Sequence, residues 1–495
     1  MQLHHPPKSN LLSFCRKYWL NVSLSLITVL VFIMNFNKEV INVNGGLGWD
    51  GRFYANAAEN IDKLIAEKKI DAYRFQRTLV PLIIYTAFGV SKVETNTANI
   101  ITAYKIFNFI ALSISMVYFF LICKKLQLNW KLVTIGFASL FWCFPILKFP
   151  FFYPTLTDAA AFSIGLMIAY YYLMDNKIAF TICIILGSFV FPTFLLFFLL
   201  FVFKKEKVTN ERSLYKKMIL PALFLSYFLF SFISLPDFFT PISSGCNPIS
   251  KNLLVPSLLI VVLYFYLISG ILPNLSIKEW FRKIETRYLC VILGVAALLQ
   301  VLKYILASRK ETFQASDYLV NVLQQSVTNP GTFLVAHTVY FGFFIVLIAI
   351  AYRGVAQAIL ARGYGAALLF IGIAVLGIGS ESRQLINFYP LVIMFILIAL
   401  KEANRISTPF VLFYSSANLL IARFWQSIDL GSNLSEKDLI QYPAQNYFKF
   451  QGPWMSNATY MFNLIVLFIA AIVFFLLYRY NFFQNMLKVN RQKSQ

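Results

Sequence analysis

Apolar stretches long enough to cross a lipid bilayer recur along the whole 495-residue chain, and they constrain its fold more than any other feature. A bilayer core of ~30 Å requires about 20 helical residues, and each crossing must satisfy its own backbone hydrogen bonds. Only 13% of the residues are charged, too few to cover the surface of a soluble protein of this size. The pattern therefore predicts an all-α, polytopic transmembrane helical bundle.

About twelve full spans are predicted within one membrane domain that covers 1–495. Because Lys and Arg concentrate in cytoplasmic loops, the basic clusters between spans place both tails, 1–18 and 479–495, in the cytoplasm. The predicted spans are 19–35, 103–122, 129–147, 158–174, 218–235, 253–273, 288–306, 333–352, 365–379, 385–400, 406–424 and 459–478.

The apolar stretch 178–203 is predicted to form a re-entrant hairpin that enters and leaves the membrane on one side. Pro192 lies near its middle, where it would break a helix. The basic residues at its ends, Lys177 and Lys204, would then both be cytoplasmic. A single span is the alternative. The segment 79–90 is too short to cross and is predicted to dip in from the outer face.

The first outer loop, 36–102, is predicted to contain an amphipathic helix. From Tyr54 to Ile65 apolar residues recur at helical spacing, while Glu59 and other charged residues occupy the opposite face. A helix of this kind lies in the membrane interface and does not cross the bilayer. The last outer loop is predicted at 425–458.

The formal charge of +22 does not indicate nucleic-acid binding, because the basic residues are scattered between spans and form no stripe with interleaved aromatic residues. They are typical of topology determinants that also contact anionic lipids. The six cysteines and three histidines form no group with metal-ligand spacing, so neither a metal nor a cofactor is predicted.

Asp50 is the first candidate for chemistry. It lies in the first outer loop beside Gly51, where backbone can approach closely, and Trp49 and Phe53 could stack on a sugar ring. A carboxylate here could accept the proton of an attacking hydroxyl. Alternatively, Asp50 is only the N-cap of the amphipathic helix that follows.

Two arginines, Arg74 and Arg77, are three residues apart and are predicted to share one face of a helix just before the dipping segment. Paired guanidinium groups at head-group depth suit the phosphate of a lipid carrier. Alternatively, they anchor a helix end at the interface, or Arg74 pairs locally with Asp71.

Two further outer-loop positions carry charge. Asp158 begins a predicted span three residues after Thr155, so that a capping box is the alternative to a functional role. Glu381 and Arg383 lie in a tight turn between two spans, and ionisable residues at membrane depth are usually functional. Alternatively, this turn is simply solvated. His337, inside a span, is typical of a hydrogen-bonded core residue.

Together these segments resemble the GT-C fold glycosyltransferases, and in particular bacterial members with a G-x-D-G-x-[FW]-Y segment and a later Y-R-x-x-R-x-L-x-P segment. Here they read GLGWDGRFY, ending at Tyr54, and YRFQRTLVP, which runs from Tyr73 to Pro81. A T-D pair and a serine and an arginine with a later proline also recur, matched by Thr157-Asp158 and by Ser382-Arg383 with Pro390.

This resemblance implies a GT-C-like fold, a location in the bacterial inner membrane, and transfer of a sugar from a polyprenyl-phosphate donor to a glycan or lipid-linked acceptor on the outer face of that membrane. Asp50 would be the base, and arginines would neutralise the leaving phosphate. The implied substrate-binding residues are Trp49, Tyr54, Arg74, Arg77, Asp158, Glu381 and Arg383. A surface-polysaccharide polymerase or ligase and a non-enzymatic transporter of lipid-linked glycans are the alternatives.

Overall fold

The computed structural model describes residues 11–208, 214–235, 237–240, 248–273, 277–308, 315–428, 452–455 and 457–493. Over these ranges the chain is helical, and its β structure amounts to an isolated bridge between Phe203 and Ile284. The predicted all-α class is confirmed. Most of the last outer loop predicted at 425–458 lies outside the described residues.

The α-helices are numbered in chain order. The first half contains α1 (Leu11–Phe36), α2 (Gly51–Ala66), α3 (Ala72–Phe75), α4 (Leu79–Ser91), α5 (Thr97–Lys125), α6 (Trp130–Phe141), α7 (Phe144–Leu147), α8 (Phe149–Phe152), α9 (Asp158–Leu173), α10 (Lys177–Gly187) and α11 (Leu199–Val202). The second half contains α12 (Leu214–Ser234), α13 (Leu254–Ile268), α14 (Ile277–Lys283), α15 (Thr286–Leu306), α16 (Ala315–Ser326), α17 (Thr332–Phe341), α18 (Phe344–Leu360), α19 (Tyr364–Leu376), α20 (Tyr389–Ala403), α21 (Thr408–Ala422) and α22 (Asn457–Lys493).

Six segments of the described chain are helices long and apolar enough to cross a membrane, and two bent helix pairs raise the number to as many as eight. The six are Trp19–Phe36, Thr97–Lys125, Leu214–Ser234, Lys251–Ile271, Thr286–Leu306 and Thr459–Arg479, each of which overlaps a predicted span. The chain is thus a multi-pass membrane protein. The other predicted spans fall on bent pairs or on helices of 16 residues or fewer, so the number twelve remains a prediction.

The span predicted at 333–352 is not one straight helix. Helices α17 and α18 meet there at an angle of 107°. Gly342 stands at the bend with φ +81°, and a Cβ on it would lie 1.8 Å from the Asn418 Oδ1. That oxygen accepts a hydrogen bond from the Phe343 N–H, so a side-chain amide from α21 satisfies the backbone that the bend exposes.

The core is formed by α9 and α20 with the helices packed around them, α5, α6 and α18. Side-chain hydrogen bonds join α5 to the chain before and within α9: the Asn108 amide donates to the carbonyls of Pro150 and Pro154, and Ser115 donates to Ser163. These contacts hold the segment 148–157 against α5.

A buried ion pair joins the end of α1 to the same loop. The Lys148 ammonium, 2% exposed, lies 2.8 Å from the Glu39 carboxylate, which also accepts from the Ile428 N–H. Burial alone would raise the pKa of Glu39, but the hydrogen bond and the charge of Lys148 outweigh it and hold that pKa below its usual value. The sequence analysis did not identify this pair.

The stretch 178–203 turns back on itself. Helix α10 ends at Gly187, and after a short break the 3₁₀ helix Pro192–Phe198 leads into α11. The rings of Phe180 and Phe201, one on each arm, are 4.6 Å apart. Beyond the arms, Lys205 pairs with Asp175 at 2.5 Å. The two ends of the hairpin are therefore adjacent.

This adjacency leads to a labelling prediction. Single cysteines at Lys177 and Lys204, both exposed, should each be protected from a membrane-impermeant thiol reagent added outside cells, in a cysteine-free background. Lys63→Cys, on the exposed face of α2, is the matched control and should be labelled. Labelling of Lys204→Cys alone would mean that the stretch crosses the membrane once, and the sides of every later loop would be reversed.

Candidate functional site

Two loops that precede α2 and α9 pack tightly together and form the base of the site. Gly48, with φ +71°, lies against the Tyr153 ring, and a Cβ there would be 2.2 Å from it. A Cβ on Gly51 would be 1.9 Å from the Thr155 Oγ1. The Tyr153 hydroxyl accepts from the Gly51 N–H at 3.3 Å. Only glycine allows this approach, which packs the loop that contains Asp50 against the loop that contains Tyr153 and Thr155.

Asp50 occupies the N-cap position of α2, but its side chain makes no capping hydrogen bond. Its carboxylate makes no hydrogen bond or ion pair with any residue that the structure describes, and it is partly exposed. The capping alternative is therefore wrong. Helix α2 has a buried face that includes Tyr54, Ala58 and Ile61, while its location in the membrane interface remains a prediction.

Arg77 is buried, with 3% of its surface exposed. Its guanidinium carbon lies 4.3 Å from the centre of the Tyr73 ring and 4.8 Å from that of Phe191, and its Nη1 donates to the Tyr54 hydroxyl at 3.3 Å. No carboxylate within the described ranges forms an ion pair with it, and its buried Nε lacks a hydrogen-bond acceptor there. A snorkelling anchor would reach the surface, and Arg77 does not.

Arg74 has a different environment, and the prediction that both arginines share a helix face is wrong. Helix α3 has only four residues and ends at Phe75, because α4, with Pro81 near its start, begins a new turn at Leu79. The Arg74 side chain is 43% exposed and pairs with Asp71 at 3.3 Å. The alternative of local pairing is confirmed for Arg74.

Asp158 and Arg383, 225 residues apart, form a bidentate ion pair. The carboxylate accepts from the Arg383 Nε at 3.2 Å and from its Nη2 at 2.9 Å. The Tyr340 hydroxyl lies 3.5 Å from the same carboxylate. The capping-box alternative is wrong. The Thr155 hydroxyl donates to the Leu47 carbonyl, and the Asp158 carboxylate is paired with Arg383.

The remaining predicted residues border this centre. Glu381 is partly exposed, precedes the 3₁₀ helix Ser382–Leu385 and caps nothing with its side chain. Trp49 is exposed, with its ring 6.4 Å from that of Tyr153. His337 is buried, and its two ring nitrogens contact the Ser382 hydroxyl and the Gly377 carbonyl, as expected of a core residue.

The tip of the 178–203 hairpin forms one wall of the site. Its Phe189 carbonyl accepts from the Leu79 N–H, and its Val190 carbonyl accepts from Thr157. Next to them, Phe191 covers one face of Arg77, and Thr193 accepts from Asn387. The tip thus reaches the segments predicted to lie at the outer face.

Three charged residues of the site act on the Tyr54 hydroxyl. Burial is the largest influence and raises the pKa of the Tyr54 hydroxyl. The negative charge of Asp50 raises this pKa further, whereas the positive charges of Arg77 and Arg383 lower it. A phenol that is 1% exposed and remains neutral can accept from Arg77 without cancelling its charge. The structure therefore places Arg77 in hydrogen-bond contact with Tyr54, with Asp50 and Arg383 close enough for their charges to act on it.

Sequence reasoning did not identify four aromatic residues of the site, Tyr73, Tyr153, Phe191 and Tyr340. Tyr73 opens the segment YRFQRTLVP, and Phe191 precedes the proline that marks the hairpin tip, so local signals existed for both. Tyr153 and Tyr340 had no such signal in an aromatic-rich chain. Among the described residues, no group of three or more His, Cys, Asp or Glu could hold a metal ion.

Fold and site together define a multi-pass membrane protein that is helical over the described residues and has the charged groups of the site at helix starts and in the loops between helices. No family model matches the sequence, and no curated protein matches it. Solved structures match at low sequence identity.

Two of these structures are of oligosaccharyltransferases from Archaeoglobus fulgidus. The archaeal oligosaccharyltransferase AglB, in complex with an inhibitory peptide and a dolichol-phosphate, is 13% identical over 86% of this chain and 58% of that chain, with a TM-score of 0.44. The oligosaccharyltransferase in the apo form is 14% identical over 95% of this chain and 56% of that chain, with a TM-score of 0.43. The chain thus spans a little over half the length of these proteins. Similarity at this level does not assign an activity.

Proposed function

We propose that the protein is a membrane glycosyltransferase. It moves a sugar from a polyprenyl-phosphate donor to a glycan or lipid-linked acceptor on the outer face of the inner membrane, in the formation of a cell-surface glycan. Both termini are cytoplasmic in this proposal, and the chemistry requires no cofactor or metal.

The observation that carries the proposal is the buried guanidinium of Arg77 with no anionic partner among the described residues. Burying a charge without compensation is unfavourable by several kcal/mol in effective terms. Binding of an anion removes that penalty, and a planar guanidinium suits phosphate oxygens. A phosphate attached to a lipid would reach this depth because its chain remains in the hydrocarbon.

Asp50 supplies the second requirement of transfer. Its carboxylate is committed to no described partner and is partly exposed, so a hydroxyl of the acceptor can approach it. In the proposed step the acceptor oxygen bonds to the anomeric carbon while its proton passes to Asp50. The bond from that carbon to the phosphate oxygen breaks, and Arg77 stabilises the charge on the leaving phosphate.

Arg383 and Asp158 have a supporting role in this proposal. The Nε and Nη2 of Arg383 are both held by Asp158, which neutralises most of its charge. The remaining Nη1 has no described partner and can donate one hydrogen bond to substrate. The pair also ties the start of α9 to the turn that contains Glu381.

Deleting the gene from its host tests the proposal. The expected result is loss of a surface glycan with accumulation of a polyprenyl monophosphate that carries a single sugar, measured by lipid mass spectrometry. A plasmid copy should restore both, and one with Asp50→Asn should not. Accumulation of an oligosaccharide on a diphosphate carrier would instead indicate a polymerase or ligase. Unchanged glycans and carriers would contradict the proposal.

A further inference from the structure

Helix α16 presents a polar face that the proposed chemistry does not use. Tyr318, Asn321 and Gln325 are spaced i, i+3 and i+7, so they lie along one side of the helix. The other side, with Leu323 and with Val327 just beyond the end of the helix, packs into an apolar cluster that Val322 and Tyr318 also border. Such a face normally points to solvent, but Asn321 is 8% and Gln325 5% exposed.

The side-chain amide oxygens on this face lack hydrogen-bond donors among the described residues. The Oδ1 of Asn321 and the Oε1 of Gln325 are buried and have no hydrogen-bond partner among the described residues. Ser380, whose side chain is fully buried, has an Oγ in the same condition. Buried polar atoms are nearly always hydrogen-bonded, so three orphaned oxygens in neighbouring elements require an explanation.

These atoms adjoin the site. The Gln325 Oε1 lies 3.5 Å from the position that a Cβ on Gly379 would occupy, and Ser380 and Glu381 follow directly. The charges of Glu381 and Arg77 both act on the Tyr318 hydroxyl, whose pKa is raised mainly by burial. The polar face of α16 therefore packs against the turn 379–381, close enough to Arg77 for that charge to act on Tyr318.

We propose that α16 and the turn 379–381 form the subsite for the sugar of the lipid-linked donor, with Asn321, Gln325 and Ser380 as its hydrogen-bonding groups. This inference rests on the proposed function, since the subsite is defined by its place beside Arg77. The donor sugar is joined to the phosphate, so it must occupy space next to that arginine.

The chemistry of the face favours a neutral, hydroxyl-rich ligand. Two of the orphaned atoms are amide oxygens, which only accept, and the hydroxyls of a sugar are donors. A tyrosine at the edge of the face matches the combination of a few placed polar groups with an aromatic side chain that is common in small-molecule sites. Glu381, partly exposed beside Ser380, can accept from a further hydroxyl.

The test compares carriers with and without a sugar. Purified protein in nanodiscs is titrated with undecaprenyl phosphate and with its glucosyl, mannosyl and galactosyl forms. At least one sugar-loaded form should bind more tightly than the bare carrier. Asn321→Leu and Gln325→Met should each reduce that advantage by about 3- to 10-fold, the effect of one neutral hydrogen bond. Binding of the bare carrier should be unchanged.

Ser326→Ala is the matched control, because this buried hydroxyl on α16 already donates to the Leu323 carbonyl. Ser326→Ala should still bind the sugar-loaded carrier more tightly than the bare carrier, by the same factor as the wild type. If the orphaned oxygens only hold structural water, the Leu and Met variants would lower the melting temperature and leave the advantage unchanged, which would overturn the inference. So would equal binding of all carriers to the wild type. Loss of bare-carrier binding in Arg77→Gln separately tests the proposed function.

Discussion

Asp50→Asn should lower the rate of sugar transfer by at least ~10²-fold, because the amide cannot accept the proton of the attacking hydroxyl and general bases contribute about 10²–10⁴-fold. The melting temperature should equal that of the wild type. The Asp50 side chain makes no capping bond, so the substitution removes no hydrogen bond from the described fold. The measurement is transfer of labelled sugar from a polyprenyl-phosphate donor, with thermal unfolding followed in parallel.

Asp50→Ala sharpens this test. A capping aspartate replaced by alanine would cost about 0.5–2 kcal/mol of stability. Since no cap is made, Asp50→Ala should be as stable as Asp50→Asn and equally inactive. Glu59→Gln, an exposed carboxylate on the same helix, is the matched control and should retain full activity. An active Asn variant beside an inactive, unstable Ala variant would show that Asp50 is structural.

Arg77→Lys should weaken donor binding by an amount on the order of 1–3 kcal/mol, the range for hydrogen bonds to charged groups. Lysine keeps the charge but loses the two parallel donors. It also loses the planar group that lies between Tyr73 and Phe191. Arg77→Gln removes the charge as well and should bind the donor more weakly still. The effect should appear in donor titrations and not in acceptor titrations.

The stability of the same variants separates ligand binding from structure. In the ligand-free protein Arg77 is a buried charge without an ion-pair partner in the described chain, so Arg77→Gln should unfold at the wild-type temperature or above. Arg52→Gln, an exposed arginine in the same loop, controls for general attraction of an anionic carrier. Equal donor affinity in the Lys, Gln and wild-type proteins, or a large loss of stability in Arg77→Gln, would rule out the phosphate site.

The segments of the candidate site could be selected from the sequence because each carries a local signal. Gly48 and Gly51 around Asp50 indicate a backbone that is approached closely, and the structure shows Tyr153 and Thr155 in contact with them. Pro192 predicts the break in the hairpin, since it cannot continue a helix. Whether each charged residue forms an ion pair could not be predicted, because the possible partners are remote in sequence.

The sequence by itself determined that the chain is a helical membrane protein, because a bilayer forces every crossing to satisfy its backbone locally and to expose apolar side chains. It also determined which short polar segments could carry chemistry. Only the tertiary structure decided which of those charged groups are left without an ion-pair partner in the described chain and could bind a substrate. Asp158 is neutralised by Arg383, which lies 225 residues away, whereas Arg77 is buried by Phe191 from the hairpin tip and given no described counter-ion. Long-range packing sets these pairings, and the interactions of a residue with its sequence neighbours do not encode them.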